Sequence, residues 1–426
     1  MQSKMLIVIA AVLVVAVGLS AGYLSSNSGT GEENRLPDPS NNGLGEDLSD
    51  VDGVNAFTWD VFDELGKDNI FYSPYGMYTA LGMLVNGALK GSDTEKEVLD
   101  LLHIDSVDKL NAYIAANSDF GSGFSSYNQI LVDTTLLKQD GVDINKDFQT
   151  TIDRYYNGEI SEADFMNDLA GVKRMIKEWV NQVTNGFIPD YESVATDDTV
   201  TDILNVVHFK GDWASKFNEG NSYKADFHNA DGSVSAQIFM HQTHSFKYYA
   251  DSKYRVLELP YLFGDDTKAE TAMYIVLPAN GKDLNILSEW QSETADYRED
   301  LMSSLRTSGK YVQVRLTLPN FEMTTKYDLK DLFGALGLQI SFTDDAQYTG
   351  ILDNQCLKID GGQHQAKIKV DEYGTEAAAV TEIVMEKAGS LPNMEFVDFC
   401  CDIPFVFTIS DIDSGIDLFA GYMGFA

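Results

Sequence analysis

The sequence predicts one large α+β domain that follows an apolar N-terminal segment and a polar tether. Two patterns lead to this. Apolar residues recur at three- and four-residue spacing mainly in the first half of the chain, the period of amphipathic helices. From Thr199 onward short alternating or apolar stretches dominate, the period of strands. Helices ahead of a mostly β second half give α+β architecture, and no internal repeat emerges.

The elements follow in chain order. Residues 1–24 carry one basic residue, Lys4, and then an apolar run from Met5 to Leu24 broken only by Gly and Ser. Such a run fits a secretory signal ending near Leu19-Ser20-Ala21-Gly22. At about 20 residues it is also long enough to span a bilayer, so cleaved signal and retained anchor both stay open, and either implies export. Residues 25–50 are rich in Ser, Asn, Gly, Pro and acids without apolar period, which reads as a flexible, solvated linker. The domain proper is expected over 51–426.

Within it, Asn55 to Leu65, Tyr75 to Leu89, Glu95 to Leu102 and Val172 to Val183 have helical spacing. Asp93-Thr94-Glu95 after Gly91-Ser92 makes a helix start, and Gly186 a stop. Strands are expected at Asp202 to Phe209, Val256 to Leu259, Ala272 to Leu277, Tyr311 to Leu318, Ala366 to Val370 and Phe405 to Ile409.

Composition narrows the function. At 426 residues, 44% hydrophobic and 11% aromatic, the chain has ample core and is not disordered throughout. A formal charge of −36 repels nucleic acid and anionic membranes, so neither is an expected partner beyond the N-terminal segment itself. The acidity serves solubility in a salty medium or steers the chain toward a basic protease, an attraction screened over about 10 Å. Three cysteines, Cys356, Cys400 and Cys401, cannot form a disulfide framework, and the adjacent pair reads as small buried hydrophobes.

Catalytic motifs are absent. No Gly-x-Ser-x-Gly, His-Glu-x-x-His or phosphate-binding Gly-rich loop occurs. His241 and His244 lack a third nearby ligand and read as a solvent-edge pair between strands. Gly121-Ser122-Gly123 reads as loop without the strand and helix a cofactor site needs. Neither metal, cofactor nor enzymatic activity is expected.

One segment stands apart. From Thr375, every second residue (Thr375, Ala377, Ala379, Thr381, Ile383, Met385) is uncharged and the first four are small; the alternate set holds all the carboxylates. Such a segment fits a sheet with one face buried, yet its Gly-, Ala- and Glu-rich flanks also suit an exposed loop. As a strand, its roughly eleven residues would reach about 36 Å.

This stretch resembles the hinge of the reactive-centre loop of an inhibitory serpin. The resemblance extends over roughly Val51 to Phe425. Further blocks appear in family order: Asn69-Ile70-Phe71-Tyr72-Ser73-Pro74 with Ala80-Leu81-Gly82-Met83, Thr184 to Ile188, and Leu204 to Trp213. Leu257 to Tyr261, Leu318 to Phe321, Ile403 to Phe407 and Leu418 to Gly421 complete the series.

The resemblance implies helices packed on a large, mostly antiparallel central sheet, two smaller sheets and an exposed loop. It also implies a monomeric suicide substrate that traps a serine protease in a covalent 1:1 complex when its cut loop enters the sheet. The hinge falls on Glu372, Gly374, Thr375, Glu376, Ala377, Ala378, Ala379 and Thr381, the polar shutter beneath the sheet on Ser73, Asn205 and His364, and the breach aromatic on Trp213. Where the family often has a second shutter serine, this chain has Gly76. The family's loop spacing places the cut between Ala388 and Gly389, suiting elastase- or subtilisin-like enzymes; Lys387, suiting a trypsin-like enzyme, and Ser390 are alternatives. A serpin that is cleaved without trapping, acting as substrate, chaperone or carrier, and an inhibitor of papain-like cysteine proteases are the rival readings.

Overall fold

The computed structural model describes residues 52–121, 123–263, 268–359, 361–375 and 396–426. The first half supplies α1 (Asp52–Glu64), β1 (Ile70–Tyr72), α2 (Pro74–Val85), α3 (Asp93–Leu101), α4 (Val107–Ala116), β2 (Phe124–Asp133), α5 (Lys146–Tyr156), β3 (Gly158–Ala163) and α6 (Phe165–Val183). The second supplies β4 (Thr201–Phe209), β5 (Gly211–Trp213), β6 (Tyr223–His228), β7 (Val234–Ala250), β8 (Tyr254–Leu262) and β9 (Thr271–Pro278). Then come α7 (Ile286–Gln291), α8 (Ala295–Ser308), β10 (Lys310–Pro319), β11 (Phe321–Asp328), α9 (Leu329–Ala335), β12 (Gln363–Val370), β13 (Gly374–Thr375), β14 (Phe396–Cys400), β15 (Phe405–Asp411) and β16 (Asp417–Met423).

Local chemistry sets the ends. Ser92 caps α3 by accepting the Glu95 N–H at 3.1 Å, which satisfies a donor that the helix leaves free. After α6, Gly186 turns the chain with φ +85, a conformation that side chains disfavour. The sequence missed α4 and α5, and it missed β2. In β2, Phe124-Ser125-Ser126-Tyr127-Asn128-Gln129 lacks an apolar alternation because its polar side chains meet other polar groups. Gly121 and Gly123 therefore stand at the mouth of a strand, which corrects the reading of that run as plain loop.

Among the described residues, hydrogen bonding joins thirteen strands along β1-β16-β15-β9-β8-β5-β13-β12-β11, with β6, β7, β10 and β14 branching from β8. Three more, β3-β2-β4, form a separate set. Pairing is antiparallel except for β10 with β14 and β2 with β3. Strands β9 and β16 are buried along their whole length, so they read as apolar runs rather than alternations. Beside this main core lies a smaller one, in which Phe165, Val172, Ile176 and Val180 of α6 meet Leu131, Leu204 and Val206 of β2 and β4.

The chain's ends are stitched together. Ile70 pairs with Tyr422 and Tyr72 with Ala420. Asn69 Oδ1 accepts the N–H groups of Gly424 and Phe425 at 2.8 and 2.9 Å. Close by, Asp417 is buried and accepts the Ser410 hydroxyl at 2.6 Å. Burial, aided by the charge of Glu299, pushes its carboxyl up to about 7.

The histidine pair is not at the edge between strands but inside β7, on opposite faces. His241 bonds Thr317 Oγ1 through Nδ1 at 3.1 Å, while His244 packs edge-on against Phe246.

Candidate functional site

The hinge begins where β12 ends. Asp371 starts a tight turn: its N–H donates to Gly374 O at 3.0 Å, and its Oδ1 accepts the N–H of Tyr373 at 3.0 Å. Aspartate suits this place because a short carboxylate reaches its own backbone two residues on. The chain then enters between two strands. Thr375 pairs with Val370 of β12 on one side and with Gly211 of β5 on the other. Gly374 must be glycine, since a Cβ there would lie 2.0 Å from the Gly211 carbonyl oxygen.

Thr375 is 3% exposed, and its hydroxyl lies 2.7 Å from that of Tyr261. Burial raises the Tyr261 phenol far above its ordinary range, so it stays protonated. Trp213 holds the turn from outside. Its ring stacks on Tyr261 at 4.6 Å, its Nε1 donates to Asp371 O at 2.9 Å, and its backbone N–H donates to Tyr373 O at 2.8 Å. Glu372 is anchored by neutral donors, Ser222 Oγ at 2.6 Å and Asn320 Nδ2 at 3.3 Å, and its carbonyl accepts the Phe217 N–H at 2.9 Å. The Tyr373 hydroxyl donates to Glu219.

Beneath the sheet sits the second candidate cluster. Ser73 caps α2: its Oγ accepts the Gly76 N–H at 3.0 Å and donates to Leu418 O of β16 at 2.8 Å. Its own N–H donates to His364 Nε2 at 3.1 Å, which requires a neutral imidazole. Burial lowers the His364 pKa to about 4 and keeps it so. Asn205 of β4 turns elsewhere, donating to Asn128 Oδ1 at 2.7 Å and Ser126 Oγ at 3.2 Å of β2. Asn128 donates in turn to Tyr156 O at 2.8 Å, and the Tyr156 hydroxyl donates to Asn111 Oδ1 at 2.7 Å.

Gly76 explains how these parts meet. A Cβ there would stand 2.5 Å from Asn205 Oδ1 and 2.5 Å from a Val207 methyl. The room a serine would need is filled by the asparagine amide.

The structure thus brings Ser73 and His364 into hydrogen bonding and sets Asn205 against Gly76, but Asn205 and His364 share no bond. Nor do their strands pair: among the described residues β4 pairs only with β2, and β12 only with β11 apart from its end at Thr375. Glu376, Ala377, Ala378, Ala379, Thr381 and the bond candidates Lys387, Ala388, Gly389 and Ser390 lie outside the described residues. Sequence reading missed Tyr261, Ser222, Asn128 and Tyr156. Only Tyr261 carried a signal, since it ends the Leu257 to Tyr261 block.

The comparisons with known proteins bear directly on this arrangement. The family model described as Serpin (serine protease inhibitor) matches residues 52–423. The chain is a serpin. It is similar to an uncharacterized serpin-like protein of Thermococcus kodakarensis, 31% identical over 389 residues covering 89% of this chain and 86% of the relative. It is also similar to Serpin-Z1A of Triticum aestivum, 31% identical over 369 residues covering 83% of this chain and 89% of that one. Its fold matches the native-state crystal structure of tengpin, a thermophilic serpin, with a TM-score of 0.76 at 23% identity, covering 89% of this chain and 95% of that one. Membership supports a protease-inhibitor type of function in general, with proteases as partners rather than catalysis by the serpin itself.

Proposed function

We propose that this serpin is an exported suicide substrate of serine proteases, with its cleaved bond between Lys387 and Ser390 and Ala388–Gly389 first among the candidates. The target's own serine would supply the nucleophile; this chain supplies bait and a strand able to join its sheet. The observation that carries the reading is Thr375, already buried between β5 and β12 with its hydroxyl on Tyr261. A hinge seated in that register directs the following residues along the unpaired edges of β4 and β12. The small uncharged set Ala377, Ala379 and Thr381 suits that face, where an unpaired charge would be costly.

The test is direct. Mixing the full chain with elastase, subtilisin, trypsin and papain and running denaturing gels should give a covalent adduct with at least one serine protease. Cleavage without adduct favours the non-trapping reading, and an adduct with papain alone the cysteine-protease reading. Mass spectrometry of the released C-terminal peptide identifies the bond. Nicking should also raise the melting temperature markedly, and an unchanged value would remove the stored energy on which trapping depends. Sequencing the N-terminus of the exported protein decides between cleaved signal and retained anchor.

A further inference from the structure

We infer that the outward face of β10 and β14, continued onto β7 and β6, is a second docking surface for the body of the target serine protease. The inference rests on the trapping site proposed above. Three large side chains mark the face: Tyr311 is 69% exposed, Tyr223 58% and Phe396 43%. Exposed aromatics grouped on one sheet face are unusual on a chain that has no need of them for its core. Tyrosine, phenylalanine and arginine are also the side chains most enriched in protein interfaces.

The face is ordered before any partner arrives. Arg315 grips Asp398 with two nitrogens, one at 2.9 Å, and lays its guanidinium over the Phe396 ring at 5.4 Å. At the other end Tyr223 stacks on His241 at 4.2 Å with the rings 8° apart, and Thr317 fixes the imidazole. Tyr311 and Thr317 point to the same side of β10, so the band between these ends is about 20 Å long. Its one ion pair is internally neutralised. On a chain of net charge −36, such a neutral aromatic band is a place where contact is not opposed by charge. Preordered side chains also lose little freedom on binding.

Position selects the occupant. Phe396, the first residue of β14, follows the proposed bond candidates Ser390 and Lys387 by six and nine residues. At about 3.5 Å per residue the bond is held within about 32 Å of this face. A protease domain of about 220 residues is about 40 Å across, so one engaged at the bond is wide enough to reach the band.

Association rate constants are measured for full-length wild type, Tyr311→Ser, Tyr223→Ser and Phe396→Ser with elastase, subtilisin and trypsin. Cleavage of a synthetic peptide spanning 372–395 serves as the reference for the loop alone. At least one protease should associate about tenfold more slowly with Tyr311→Ser and Tyr223→Ser, with unchanged melting temperature and inhibition stoichiometry. Both tyrosines lie outside the loop, so a change confined to Phe396→Ser reports loop geometry and overturns the proposal, as do unchanged rates throughout. If wild type is cleaved without forming an adduct, trapping fails separately: slower loop cleavage in the tyrosine variants still supports docking, and equal cleavage overturns it. Absence of cleavage by all three enzymes overturns both.

Discussion

The two ends of the candidate mechanism are held in opposite ways. At the hinge, Asp371 to Thr375 is fastened to β5, β12, Trp213, Phe217, Ser222 and Asn320 by backbone and side-chain bonds. In the middle of the sheet, Asn205 binds toward β2 while His364 binds toward α2, and nothing ties one to the other. The difference teaches where such a sheet can part: its polar groups beneath β4 and β12 are satisfied within each half, so separating the halves leaves no buried donor stranded there.

Four changes would break or sharpen this contrast. The largest effect is expected from Thr375→Arg, which puts a guanidinium where the side chain is 3% exposed and faces Tyr261. Adduct on a denaturing gel should disappear in favour of cleaved protein; retained trapping would show that the seated hinge is not used. Next comes Gly76→Ser, whose Cβ meets Asn205 and Val207 at 2.5 Å. Denaturant unfolding should show a loss of about 3 kcal/mol, and an unchanged midpoint would mean that the middle has slack.

A pH series separates two buried groups of opposite sign. His364 has a folded pKa of about 4 against 6.5 in the open chain. Between those values the unfolded state binds more protons, so this contribution to stability is full above 6.5 and lost as pH falls toward 4. Asp417 has a folded pKa of about 7 against 3.8, so there the native state binds more protons and stability is lost as pH rises through that window. Asp417→Asn should therefore gain on wild type as pH rises from 5 to 8, by about 2 kcal/mol in unfolding free energy. A pH-independent difference would mean the carboxyl titrates normally. The smallest effect belongs to Tyr261→Phe, which removes one hydrogen bond from Thr375 and should cost about 1 kcal/mol, with slightly faster spontaneous loss of inhibitory activity on storage.

Much of this was legible in the sequence, though unevenly. Helical spacing located α1, α2, α3 and the body of α6, because each buries one stripe against the sheets. Gly374 and Thr375 stood out through local composition, and the structure gives both a steric reason. What could not be read were partners distant in the chain. Tyr261 is 114 residues from Thr375, and no periodicity encodes that meeting. β2 escaped notice because Asn128 and its neighbours serve a buried polar chain, which erases the alternation by which strands are recognised. Gly76 looked like a departure from the shutter pattern until Asn205 was seen to occupy the space.

The pairing of β1 with β16 has a consequence for how the protein is made. Tyr72 meets Ala420, so a strand synthesised near the start waits for one synthesised near the end. At roughly 5–20 residues per second, that interval is about 20–70 s, during which Phe71 and its aromatic neighbours have no permanent cover. Closure of the main core is thus an event after release from the ribosome, and a chain bound for export stays unfolded enough to thread through a translocation channel.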